Sequence, residues 1–193
     1  MNTPNKLTVF RAAMVPVFLI VLLWEGLPMR FLWATLIFAG LSLTDMFDGQ
    51  IARRRGLITN FGKFLDPLAD KVLVVSALIG MTVLKNESHL QLICWLIGLI
   101  IILAREFMVA GLRLVCVEQG TVIAANFWGK LKTVTQFIAV MVILFTEQLL
   151  CWFPALPTQL RLVGDGLFAL CVVFTVISGV VYVKQNAGGI SQM

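Results

Sequence analysis

The chain has 193 residues, of which 60% are hydrophobic and only 13% charged, and its mean hydropathy is +0.96. A typical soluble domain carries about 45–50% apolar and about 25% charged residues, and one core in so short a chain could not hide this much apolar surface from water. Although the net charge is +5, the composition excludes a soluble enzyme, a nucleic-acid-binding protein and a disordered tail, and it predicts an integral membrane protein.

Hydropathy predicts six transmembrane helices, each near the ~20 residues that a bilayer requires. They cover residues 9–24, 30–53, 66–84, 90–113, 130–148 and 162–183. Thr3 followed by Pro4 is typical of a helix start and predicts a short juxtamembrane helical segment before the first span. We therefore expect a single all-α membrane domain over residues 1–193, with a sixth span that is merely apolar.

The positions of the basic residues predict the orientation. Of the 15 lysines and arginines, Arg30, Lys85 and Arg161 fall towards one side of the predicted bundle and the others fall towards the opposite side. Because basic residues concentrate in cytoplasmic loops, this bias predicts that both termini are cytoplasmic. The positive charge also indicates anionic lipids or phosphorylated substrates as partners.

Acidic residues interrupt the second and third spans, whose unbroken apolar runs, 31–43 and 72–84, have only 13 residues each. These runs are too short to cross a bilayer, and the helical turns that would complete each span carry Asp45, Asp48, Asp66 and Asp70. A carboxylate at membrane depth costs about 2.5–3.5 kcal/mol, so such residues are usually paired, bound to metal or exposed to a water-filled cavity. Residues three or four apart share one face of a helix. A short connector makes the two helices antiparallel neighbours, so we expect the two acidic faces to converge.

These acids favour a site for a hard cation. Oxygen donors without histidine or cysteine suit Mg²⁺ or Mn²⁺, and two such ions about 3.5–4 Å apart would clamp a phosphoryl group. The alternative is a salt-bridge cluster in which residues 53–55, Lys63 and Lys71 neutralise the acids. The metal site is favoured because exposed arginines more easily stay in water, whereas the four acids lie on two matched faces.

The acids belong to a longer pattern, D-x2-D-G-x2-A-R-x8-G-x3-D-x3-D, which the chain matches at every fixed position. Those positions are Asp45, Asp48, Gly49, Ala52, Arg53, Gly62, Asp66 and Asp70. The pattern resembles the signature of the CDP-alcohol phosphatidyltransferase family. Four further segments resemble bacterial members of that family: residues 4–11, 104–106, 111–113 and 129–133.

The resemblance implies a six-helix enzyme of a bacterial cytoplasmic membrane, usually a homodimer, with its active site open to the cytoplasm and the inner leaflet. It implies transfer of the phosphatidyl group from CDP-diacylglycerol to sn-glycerol 3-phosphate, giving phosphatidylglycerol phosphate and CMP, with two divalent cations. Asp45, Asp48, Asp66 and Asp70 would hold the cations, and Asp70 would also be the general base. The residues implied at the CDP-diacylglycerol site are Asn5, Thr8, Asp48, Gly49, Ala52, Arg53, Thr59 and Gly62.

A phosphorylated acceptor requires fixed cations, and arginine suits a bidentate grip on phosphate. The candidate phosphate-binding residues are Arg11, Lys63, Arg105, Arg113, Lys130 and Lys132. For Arg113, Lys130 and Lys132, anchoring at the membrane surface is an equally good interpretation. Arg105 lies about two turns inside an apolar span and needs a partner there, and the neighbouring Glu106 could be that partner.

Three alternatives stay open at this point. The acceptor could be inositol phosphate, serine or another head group, the acids could form the ion path of a small transporter, or the chain could be a structural or assembly protein. A transporter would need polar residues through the outer half of the bundle, where the second and third spans offer only Thr35, Ser76 and Thr82. Nucleic acid is not an expected partner.

Overall fold

The computed structural model describes the backbone of residues 3–55, 60–85, 88–118 and 127–190, and the side chains of residues 9–44, 71–85, 88–112 and 127–185. Across these residues the regular structure is entirely helical, which confirms the all-α prediction. The helices are α1 (Thr3–Leu23), α2 (Arg30–Arg55), α3 (Asn60–Leu84), α4 (His89–Glu118), α5 (Phe127–Trp152) and α6 (Arg161–Ile190), with a 3-10 turn at Thr158–Leu160.

The length and composition of the helices identify a membrane protein. Within the described ranges, three helical stretches are long and apolar enough to cross a bilayer: His89–Leu112, Phe127–Trp152 and Thr158–Gln185. Shorter apolar stretches occupy Val9–Leu23, Arg30–Thr44 and Lys71–Leu84. A helix satisfies its own backbone hydrogen bonds, which is why it can cross a medium that offers none. The count of six spans and the cytoplasmic termini stay predictions.

The helices extend further than the apolar spans predicted from the sequence. The first begins at Thr3, as Thr3-Pro4 predicts, and it continues to Leu23 without a break, so the juxtamembrane segment and the first span are one helix. The third begins at Asn60 rather than at residue 66, and the fourth continues to Glu118. Helical hydrogen bonds join backbone groups four residues apart and need no apolar side chains, so the helices continue into polar sequence.

The chain divides into two compact units. One comprises Met1–Leu84 with Val140–Arg161, and the other comprises Lys85–Ala139 with Leu162–Met193. The two halves of α5 therefore belong to different units. The predicted single domain stays a prediction.

In the first unit, α1 contacts both α2 and α3. A Cβ atom placed on Gly80 of α3 would lie 2.6 Å from Leu22 Cδ2 of α1, so the two helices approach closely near their carboxyl ends. The amino end of α2 is held differently, because the Leu32 amide donates to Gln148 Oε1 of α5 at 2.9 Å. This bond satisfies one of the backbone donors that a helix start leaves open. The ends of α1 and α3 thus meet each other, and the start of α2 meets the end of α5.

In the second unit, α4 and α6 run parallel in a constant register. The Trp95 and Phe168 rings stack with centroids 3.9 Å apart, and their sequence numbers differ by 73. Arg105 hydrogen-bonds Ser178 with the same difference of 73. Contacts at a constant offset along both helices require parallel axes. In a bundle of six spans, successive spans alternate in direction, so the fourth and the sixth are expected to run the same way.

Candidate active site

The predicted metal ligands lie on two helices of the first unit that contact each other. Asp45 and Asp48 are three residues apart on α2, and Asp66 and Asp70 are four apart on α3. The backbone is helical at all four positions, so each pair shares a helix face, as the sequence predicts. Their side chains lie outside the described residues, and none of the described side chains forms a group of three or more histidine, cysteine, aspartate or glutamate residues. The donor set itself, four carboxylates on two adjacent helices, fits a hard cation.

The predicted CDP-diacylglycerol residues follow the same two helices and α1. Gly49, Ala52 and Arg53 lie on the turns of α2 after Asp48, and Gly62 lies on the first turn of α3. Asn5 and Thr8 are three apart on α1. The side chains of Asn5, Thr8 and Arg53 are outside the described part of the structure, and Thr59 lies wholly outside it. These roles stay predictions.

Two of the predicted phosphate-binding residues come together in the second unit. Glu106 Oε1 accepts a hydrogen bond from Arg105 Nη1 at 2.8 Å and also accepts one from Lys132 Nζ. Arg105 Nη2 donates to Ser178 Oγ at 2.5 Å. This cluster therefore joins α4, α5 and α6. Glu106 is the partner that the sequence suggested for Arg105, whereas the contacts with Lys132 and Ser178 were not predicted.

Among the remaining phosphate-binding candidates, the structure describes the side chains of Lys130 and Arg11. Lys130 is exposed, whereas Lys132 is buried, because a separation of two residues turns a side chain about 200° around a helix. Arg11 on α1 is buried. The side chains of Lys63 and Arg113 are outside the described residues.

A second polar cluster corrects the expectation that the sixth span is merely apolar. Asp165 on α6 accepts hydrogen bonds from Gln91 Nε2 at 2.8 Å and from Trp95 Nε1 at 3.1 Å. Lys85 Nζ lies 3.1 Å from the same carboxylate and 5.5 Å from the centre of the Trp95 ring. A carboxylate in the first turns of an apolar helix is the signal in the sequence, since such a group needs partners.

Comparison with known protein families matches residues 1–181 to the CDP-alcohol phosphatidyltransferase model. The chain belongs to this family. The chain is 41% identical to the CDP-diacylglycerol–glycerol-3-phosphate 3-phosphatidyltransferase of Bacillus subtilis, over 96% of this chain and 95% of that protein. It is 39% identical to a probable phosphatidylglycerophosphate synthase of Mycobacterium tuberculosis, over 99% and 86% of the two chains. It is also 34% identical to a Rickettsia bellii protein with the same name as the Bacillus enzyme, over 95% and 94%.

Family membership identifies the protein as an enzyme and confirms the resemblance seen in the aspartate pattern. The matched region includes α1 to α5 and most of α6. Both the acidic helices and the Arg105–Glu106–Lys132 cluster therefore lie within the family's common region.

Proposed function

We propose that this enzyme transfers the phosphatidyl group of CDP-diacylglycerol to sn-glycerol 3-phosphate, giving phosphatidylglycerol phosphate and CMP. The observation that carries this proposal is the match at all eight fixed positions between Asp45 and Asp70, on helices α2 and α3. The names of its relatives from Bacillus subtilis and Rickettsia bellii support glycerol 3-phosphate as the acceptor.

In this proposal the acids of α2 and α3 hold two Mg²⁺ or Mn²⁺ ions. When bound, such ions neutralise the diphosphate and the charge that develops on the leaving phosphate. Asp45, Asp48 and Asp66 are metal ligands, and Asp70 is both a ligand and the general base. Asp70 accepts the proton of the acceptor hydroxyl as that oxygen bonds to the lipid-bearing phosphorus, and the bond from that phosphorus to CMP breaks. An aspartate is a weak base, with an ordinary pKa near 3.9, so it acts chiefly by its position.

The substrate contacts in this proposal divide between donor and acceptor. Asn5 and Thr8 hydrogen-bond the cytidine, and the CDP moiety is lined by Asp48 and the small or basic residues that follow it. These are Gly49, Ala52, Arg53, Thr59 and Gly62. The phosphate of the acceptor is bound by basic residues of α4 and α5, chiefly Arg105 and Lys132, which share one carboxylate. Arginine offers a planar fork of donors and lysine a compact charge, and both suit a phosphate.

The proposal also assigns an orientation. The site faces the cytoplasm, where glycerol 3-phosphate is soluble, in the cytoplasmic membrane of a bacterium, and the enzyme is a homodimer. The bias of basic residues towards one side of the bundle supports this orientation.

The test is a mixed-micelle assay of the purified enzyme with CDP-diacylglycerol, Mg²⁺ or Mn²⁺, and one acceptor at a time. We expect CMP release with glycerol 3-phosphate and its loss when the metal is chelated. Release of CMP only with inositol phosphate or serine would refute glycerol 3-phosphate as the acceptor and leave the proposed phosphatidyl transfer standing. Absence of release with every acceptor, from folded enzyme, would refute the proposed reaction.

A further inference from the structure

The Arg105–Glu106–Lys132 cluster contains one residue to which the reaction as proposed gives no role, namely Glu106. Its Oε1 atom accepts hydrogen bonds from both Arg105 Nη1 and Lys132 Nζ. The three side chains are largely buried, with 12% of Arg105, 13% of Glu106 and 4% of Lys132 exposed. Two positive charges thus lie against a single oxygen atom in a place with little water to screen them.

The geometry of Arg105 is unusual for a helix and depends on its neighbours. Consecutive helical residues do not face each other, so the Arg105 side chain must turn along α4 to reach Glu106. The backbone of α6 passes close to its stem, since a Cβ atom on Gly179 would lie 3.3 Å from Arg105 Cγ. Ser178 accepts from the other end of the guanidinium at 2.5 Å. Both terminal nitrogens of Arg105 are therefore held by hydrogen bonds, and the backbone of α6 borders its aliphatic part.

Like charges held together repel each other, and in water two long basic side chains would separate. A carboxylate between them offsets the repulsion and fixes both heads before any ligand arrives. Fixing the binding groups in advance reduces the entropy lost when a ligand binds. Hydrogen bonds from charged donors to a phosphate are roughly twice as strong as neutral ones, so both basic side chains would bind a phosphate well.

We infer that Glu106 is a positioning residue for the acceptor, which holds Arg105 and Lys132 in the arrangement that binds a phosphate, with Ser178 orienting Arg105 from α6. This inference rests on the proposed function, since it concerns the phosphate of the same acceptor. It assigns to α6, through Ser178, a contribution to acceptor binding.

The test compares Glu106→Gln and Ser178→Ala with a matched control, Glu147→Gln. Glu147 is also 13% exposed and also pairs with an arginine, Arg161, at 3.0 Å, but it lies at the opposite end of α5. Rates are measured over a range of glycerol 3-phosphate concentrations at saturating CDP-diacylglycerol. They are then measured over a range of CDP-diacylglycerol concentrations at saturating glycerol 3-phosphate. Inorganic phosphate serves as a competitive probe of the same cations, and thermal unfolding of each variant reports its folding.

We expect Glu106→Gln to raise the KM for glycerol 3-phosphate and the inhibition constant for phosphate by about tenfold or more, because hydrogen bonds to charged groups are the strong ones. The KM for CDP-diacylglycerol should stay within about twofold. Ser178→Ala keeps the helix and the charges and removes one hydrogen bond, and it should raise the acceptor KM by roughly threefold. Glu147→Gln should leave the acceptor KM unchanged.

A structural role alone gives a different result. If Glu106→Gln lowers the unfolding temperature or kcat while the acceptor KM and the phosphate inhibition constant stay at the wild-type values, the inference is wrong. If wild-type enzyme releases CMP only with an unphosphorylated acceptor, the proposed function fails and the inference fails with it. The wild-type assay therefore distinguishes the two failures.

Discussion

Replacement of Asp165 by asparagine is the most direct test of how α4 and α6 are held together. The Asp165 carboxylate accepts from Gln91 and Trp95 and pairs with Lys85 at 3.1 Å. The Lys85 side chain is only 4% exposed. The Asp165→Asn change keeps the size of the side chain and removes its charge.

The magnitude follows from burial. Removal of one partner of a fully buried ion pair costs about 3–5 kcal/mol. The Asp165 side chain is 23% exposed, which allows some screening, so we expect a smaller loss of about 2–3 kcal/mol in the free energy of unfolding. For a chain of this length that corresponds to a fall of roughly 4–12 °C in Tm.

The assay is thermal unfolding of the purified variant in detergent micelles, with Lys85→Met and the double variant measured in parallel. Replacement of both partners removes the charge pair as a whole, so the double variant should be clearly more stable than the sum of the two single losses predicts. Two results would refute the reasoning: a Tm for Asp165→Asn within about 1 °C of wild type, or strictly additive losses in the double variant.

Three further predictions concern activity and packing. Asp70→Asn should abolish CMP release, measured by turnover, while CDP-diacylglycerol still binds, measured by equilibrium binding. Full activity of this variant would contradict the assignment of Asp70 as the general base. Gly98→Ala places a Cβ atom 2.7 Å from the Phe168 ring, which is already stacked on an indole, and should cost about 1–3 kcal/mol in thermal unfolding. Gly166→Ala is the control, since among the described residues its new Cβ would meet nothing within 4 Å beyond its chain neighbours and the nearby backbone of its own helix, and it should be neutral or slightly stabilising. Lys130→Ala should raise the KM for the phosphorylated acceptor, and a loss confined to CDP-diacylglycerol binding would instead place this residue at the donor site.

Most of the helices could be predicted because an apolar stretch of about 20 residues is typical of a membrane-spanning helix. The start of α2 at Arg30 coincides with its predicted span, and α1 begins at the predicted Thr3. The helix α3 begins at Asn60, six residues before the predicted span, and those six residues include Asn60, Gly62 and Lys63. Hydropathy predicts which residues lie within the membrane. It does not predict where a helix begins, because a helix can continue through polar residues.

The site was predictable where its residues lie close in sequence, and less so where they do not. The spacing of Asp66 and Asp70 places them on one face of α3 because both belong to one helix. The bond between Arg105 and Ser178 depends on the register of α4 against α6, which is set by side-chain packing over several turns. No local pattern in the sequence records that register, and Ser178 was therefore missed.

The parallel register of α4 and α6 limits how this part of the chain can change in evolution. Two of its polar contacts, Gln91 with Asp165 and Arg105 with Ser178, are 14 residues apart on α4 and 13 apart on α6, which is about four helical turns. Insertion of one residue between them in either helix would turn everything beyond it by about 100°, so only one of the two contacts could survive. Insertions and deletions in this segment should therefore be rare among related enzymes, and where one helix changes length the other should change by the same number of residues.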